Sequence, residues 1–197
     1  MFSSFYSVDL ETVLNSILSL IIETSADKSS RLVTAFCESI VKAQLPERFG
    51  LVKLRVLSNL FHGLIATSKD RYTVYLYLAR CSLILKNLNY LPHKLDVVQK
   101  YLQLWNSRTE DIQALYRILF EALQIHDSQS AFKTMIELLS TYTKETSSKS
   151  RDDAHKCIVY CINDPNIFIF DSLLLLEPIK YLEGELIHNV KILFLFL

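Results

Sequence analysis

Apolar residues recur three and four positions apart along most of this chain, the spacing that gathers them on one stripe of an α-helix. The first stripe holds Leu10, Val13, Leu14, Ile17, Leu18 and Ile21, with Asp9 placed as an N-cap. A second helix follows the polar stretch Ser25 to Ser30 and turns Leu32, Phe36, Cys37, Ile40 and Val41 inward. Gly50 or its neighbours open a third, carrying Leu54, Leu57, Phe61, Leu64 and Ile65. From Tyr72 to Leu85 the apolar residues point in nearly every direction, which predicts a helix in the middle of a stack. Tyr72-Thr73-Val74-Tyr75 alone reads as a strand, but the segment is too long for one.

Pro92 is placed at a first helical position, before Leu95, Val98, Leu102 and Trp105. Thr109 then caps a helix whose first turn holds Glu110 and Asp111, where the dipole favours negative charge. Ile112, Leu115, Tyr116, Leu119, Ala122 and Leu123 form its apolar side. Ser128 begins another, with Phe132, Met135, Ile136, Leu139 and Tyr142 inward. Ser140 to Ser150 reads as a frayed helix end and a solvated loop, before the pattern resumes from Arg151 to Ile162. Asp164-Pro165 restarts a helix, and Leu182 begins the last.

Helix pairs thus start near Pro92, Ser128 and Asn166, at intervals of 36 and 38 residues, a period typical of helix-turn-helix repeats. The expected fold is all-α: a right-handed α-solenoid of stacked helix pairs with about ten helices, in which each pair buries its inner face on its neighbours.

Composition narrows the function. Only 3 Gly occur where average usage of about 7% would supply roughly 14, so Gly-rich phosphate loops are largely excluded. Lys plus Arg and Asp plus Glu balance at 21 each, which leaves no overall footprint for capturing nucleic acid and makes proteins the default partners. Cys37, Cys81, Cys157 and Cys161 sit within apolar helical patterns and fit a reducing compartment. Acidic Asp9 and Glu11 precede the apolar stretch Val13 to Ile22 where a signal peptide needs positive charge. Arg80, Lys86 and Glu177 interrupt the longest apolar runs, so no membrane span is expected.

Candidate chemistry is sparse. His155, Cys157 and Cys161 are the only local cluster of metal-binding types, but zinc normally takes four ligands, or three and a water, and helix geometry turns His155 away from the two thiols. The expectation is core thiols without metal, cofactor or catalytic residues. His62, His93, His126 and His188 are scattered outside any nucleophile setting. Asp152-Asp153 and Glu183 with Glu185 adjoin helix starts, where capping accounts for them. Lys144, Lys149 and Arg151 give the polar loop a weak basic character, read as solvation in preference to contact with ribosomal RNA. The candidate partner surface is the run Ile192, Leu193, Phe194, Leu195, Phe196 and Leu197, which would form an adhesive patch if exposed.

Particular residues carry more than the pattern. Leu57-Ser58-Asn59-Leu60-Phe61-His62-Gly63 with Arg71-Tyr72-Thr73-Val74-Tyr75 resembles a stretch of the subunit M family of eukaryotic translation initiation factor 3. So do Asp153-Ala154-His155-Lys156-Cys157-Ile158-Val159, Asp164-Pro165-Asn166 with Phe168 and Phe170-Asp171, and Pro178 through Glu183-Gly184-Glu185-Leu186-Ile187-His188. These stretches stand in the family's order, and the similarity runs from about Glu11 to His188. The resemblance implies a PCI domain, in which helical repeats precede a winged helix. Residues 1–197 would then be one helical-repeat domain, incomplete at the C-terminus, with the winged helix absent. It further implies a cytoplasmic, non-catalytic scaffold whose partners are other initiation factor 3 subunits, with the small ribosomal subunit met indirectly or weakly. No small-molecule substrate is implied. Scaffolds of the proteasome lid or signalosome share the architecture and are the alternative.

Overall fold

In a computed structural model the described residues are 2–24, 26–46, 49–164, 173 and 175–184, with side chains described from Asp9 and, after the first helix, from Ser30. Among them the chain is all-α, and it divides into two compact units, Met1–Ser107 and Arg108–Leu197.

The first unit contains α1 (Phe2–Glu23), α2 (Ala26–Lys42), α3 (Gly50–Gly63), α4 (Asp70–Ile84) and α5 (Leu95–Leu104). Helix α1 packs on α3, α2 on α4, and α3 on α4, so equivalent members of successive pairs stack. Leu18, Val33, Leu54, Leu57, Leu60, Phe61, Tyr75 and Leu78 fill the space between them. The edges are stitched by polar groups. Arg55 Nη2 lies 2.6 Å from Glu11 Oε2 between α3 and α1, and Tyr77 OH donates to Glu38 Oε1 at 3.2 Å between α4 and α2. Lys53 Nζ donates to the Ala43 carbonyl at 2.6 Å, placing a cation beyond the C-terminus of α2 where carbonyls lack partners. The Ile22 side chain of α1 reaches over Gly63 of α3, where a Cβ would stand 2.6 Å from Ile22 Cδ1.

With so few glycines, two helices end on other residues in the left-handed region. Lys86 and Asn106 both have φ of 49°, and each is followed by the six-to-one bond of a Schellman cap: Asn87 N–H to the Ser82 carbonyl, Ser107 N–H to the Leu102 carbonyl, both 3.0–3.1 Å.

The second unit contains α6 (Thr109–Leu123), α7 (Ser128–Ser140), a 3₁₀ turn (Ser147–Ser150), α8 (Arg151–Asn163) and the short α9 (Glu177–Lys180). Helix α6 pairs with α7, α8 returns onto α7, and α9 packs against α7, α8 and the 3₁₀ turn. Leu115, Leu119, Leu123, Met135, Leu138, Cys157, Ile158 and Ile179 form its core.

Several local expectations shift. Helix α1 starts at Phe2, so Asp9 lies inside the helix instead of capping it. In α2 Val33 is buried and Leu32 exposed, one position from the expected register. Ile65 lies beyond the end of α3 and is exposed. Pro92 precedes α5 by three residues, and its carbonyl accepts from Tyr75 OH at 2.6 Å. Thr109 is helical, with Arg108 before it and no side-chain cap; Asp127 is the capping residue of α7, its Oδ1 accepting from Ser130 N–H at 3.0 Å. The polar stretch is not a solvated loop throughout. Ser147 and Ser150 are buried, donating to the carbonyls of Thr143 and Ser147 at 2.8 and 2.6 Å, because hydroxyls that satisfy nearby carbonyls can be taken out of water. Asp164 ends α8 and Leu182 is a buried residue of the turn after α9, while the segments expected to continue as helices, 165–172 and 185–197, lie outside the described residues.

Candidate functional site

Both family-like stretches that the structure describes in full sit where helices join. In the first, Phe61 on α3 is the hub of a ring cluster: Tyr75 on α4 and Tyr101 on α5 lie 5.5 Å from it, and Trp105 lies 6.2 Å away edge-on. Tyr101 and Trp105 stack at 5.3 Å. Aromatic pairs at these separations add about 0.5–1.5 kcal/mol each beyond their buried area. Arg71 holds the cluster from outside, its guanidinium 4.4 Å from the Phe61 ring centre and its Nε donating to the Phe61 carbonyl at 2.8 Å. Trp105 Nε1 donates to the Ala66 carbonyl at 3.1 Å, so the buried indole has a partner.

The second stretch anchors a polar joint. Asp153, at the start of α8 and 5% exposed, accepts from Arg117 of α6 through Nε at 3.1 and 3.0 Å and through Nη2 at 2.9 Å. Tyr142, just past α7, donates to Asp153 Oδ2 at 2.8 Å and accepts from Arg117 Nη2 at 2.7 Å. Three helices therefore converge on one charge-assisted triad. Burial, followed by the bond to Asp153, pushes the Tyr142 hydroxyl up to about 12, and the bond to Asp153 raises Arg117 further. Asp153 thus stands in the first turn of α8, as expected from the sequence, and in addition is the acceptor on which the three helices meet.

The other candidates separate. Cys157 and Cys161 are buried thiols outside any disulfide, while His155 lines an open groove of about 520 Å³ between α6 and α8 with Phe120, Glu121, Gln124, Lys156 and Tyr160. Among the described residues no group of three or more His, Cys, Asp or Glu side chains converges as a metal site would require. Burial pushes the Cys37 thiol up to about 12 and Cys81 to about 11, so both are protonated at neutral pH and poor nucleophiles. No helix among the described residues is long and apolar enough to cross a membrane. Ile192, Leu193, Phe194, Leu195, Phe196 and Leu197 lie outside the described residues, as do Glu185 and His188.

Sequence reasoning missed the triad, because its members stand 11, 25 and 36 positions apart and only the fold brings them together. A basic residue on the inner side of α6 was the one available signal. It also missed the width of the apolar surface on α1, where Val13, Ile17 and Leu20 remain exposed although the first two belong to the expected buried stripe.

Helices stacked through rings and, among the described residues, through a buried ion pair define an all-α helical-repeat protein. The comparisons point to a particular relative. The chain is 44% identical to subunit M of eukaryotic translation initiation factor 3 from Bos taurus and from Homo sapiens, over 187 residues that cover 94% of this chain and 50% of either relative. The same subunit of Danio rerio is 41% identical over the same extent. The resemblance to subunit M is thereby shown, and the chain spans about half the length of the curated relatives it matches. No protein-family model matches the chain.

Proposed function

We propose that this chain acts as a non-catalytic scaffold subunit of translation initiation factor 3, supporting assembly of the preinitiation complex on the small ribosomal subunit through protein–protein contacts in the cytoplasm. The observation that carries the reading is the 44% identity to subunit M across 94% of the chain. The physics agrees: neutral charge, stacked helices and buried protonated thiols favour surfaces over reactions. Its partners are other subunits of the factor, and the run Ile192 to Leu197 is one contact surface for them. The PCI helical-repeat assignment belongs to the same proposal.

Sucrose-gradient sedimentation of a tagged copy in cell extract tests this. The chain is expected to sediment with initiation factor 3 and in part with the small ribosomal subunit. A chain that stays entirely at the top of the gradient while the factor moves normally would overturn the reading.

A further inference from the structure

Helix α1 is apolar over more of its circumference than its neighbours cover. Leu14, Leu18 and Ile21 turn toward the unit's interior, where Leu18 and Ile21 are buried. Beside them runs a second row, Leu10, Val13, Ile17 and Leu20, whose alternating spacing of three and four is that of a coiled-coil seam. Val13 is 57% exposed, Ile17 40% and Leu20 67%, so the middle of the row is bare.

Charge identifies what fits it. Asp9, Ser16 and Glu23, spaced by seven, follow the seam along its solvent edge. Helix α1 contains no Lys or Arg, its third acid Glu11 is already paired with Arg55, and among the described residues neither Asp9 nor Glu23 has an ion-pair partner. A second copy of this helix would bring another acidic row and nothing to answer it. A helix with basic flanks would meet both the apolar seam and the acids.

We infer that the outer face of α1 is a docking seam for an amphipathic helix of a partner protein, with apolar residues at three-four spacing and Lys or Arg flanking them. The inference rests on the reading of the chain as a scaffold and names the chemistry of one partner element. It tests separately, because binding to this seam is measured on the purified chain without the rest of the complex.

The probes are two labelled three-heptad peptides with Leu at the seam positions, differing only in Lys or Glu at the flanks, titrated by fluorescence anisotropy. The Lys peptide is expected to bind about tenfold or more tightly than the Glu peptide, since like charges across such an edge repel. Leu20→Ser should weaken it by about tenfold or more, because a buried leucine accounts for about 1.5–3 kcal/mol and 1.4 kcal/mol is tenfold. Asp9→Lys with Glu23→Lys should invert the order of the two peptides; these exposed positions leave folding intact. Equal binding of both peptides, indifference to Leu20→Ser, or no inversion by the charge swap would each overturn the seam. A dimer of the chain that Leu20→Ser dissociates would assign the face to a second copy instead.

Discussion

Residues 1–107 and 108–197 join their helices by different means. In the former, four rings from three helices meet around Phe61, and the charged member, Arg71, stays at the rim where its guanidinium lies over a ring face. In the latter, the joint between α6, α7 and α8 is a buried carboxylate held by Arg117 and Tyr142. Rings fill volume and tolerate modest rearrangement. A buried ion pair demands one geometry, since removing either partner leaves an uncompensated charge away from water. Packing against Phe61 therefore stabilises broadly, whereas the triad fixes how three helices start and end relative to one another.

The largest expected effect falls on the ring hub. Phe61→Ala should destabilise the first unit by about 3–5 kcal/mol, the range for emptying a fully buried aromatic site, measured by denaturant unfolding with Trp105 fluorescence as the reporter. Asp153→Ala comes next, at about 2–3 kcal/mol, below the full cost of breaking a buried pair because the Arg117 side chain is 39% exposed and keeps some hydration. Removing Arg117 as well should cost less than the two single losses combined, and an additive cycle would show that the triad is not one unit.

Alkaline titration separates the halves more finely. Groups whose acidity is suppressed by folding are protonated in the native state after the unfolded chain has lost those protons, so stability is full below the ordinary value and falls as pH rises toward the folded one. In the first unit this loss should begin near pH 9, the ordinary value for Cys37 and Cys81, and extend to about 12 and about 11. In the second, the contribution of Tyr116 and Tyr142 should be lost from about pH 10 upward, as burial holds both up to about 12. Unfolding midpoints that stay flat to pH 11 would contradict those positions. The smallest effect is a gain: Lys86→Gly should stabilise by about 1 kcal/mol or less by relieving a side chain from the left-handed region, readable as a small rise in Tm.

Helix existence was legible because stripes such as Leu115, Tyr116, Leu119 and Leu123 repeat with little interruption. The ends were harder. Gly and Pro punctuate most chains, but here Lys86 and Asn106 do the work of C-terminal glycines, and Pro92 stands outside its helix. Where an apolar surface is wider than one stripe, as on α1, periodicity says that a helix is amphipathic without saying which residues its neighbours reach. Asp153 illustrates the complementary limit: an acidic residue at a helix start satisfies the capping rule locally, and only the arrival of Arg117 from another helix reveals its structural role. The seam on α1 was invisible for the same reason, since exposure is a property of packing.

The most direct measurement is affinity purification of the tagged chain from cells, with the recovered proteins quantified by mass spectrometry. The account predicts enrichment of initiation factor 3 subunits above those of the proteasome lid and signalosome. Recovery of lid or signalosome subunits without the initiation factor, or of neither, would contradict it.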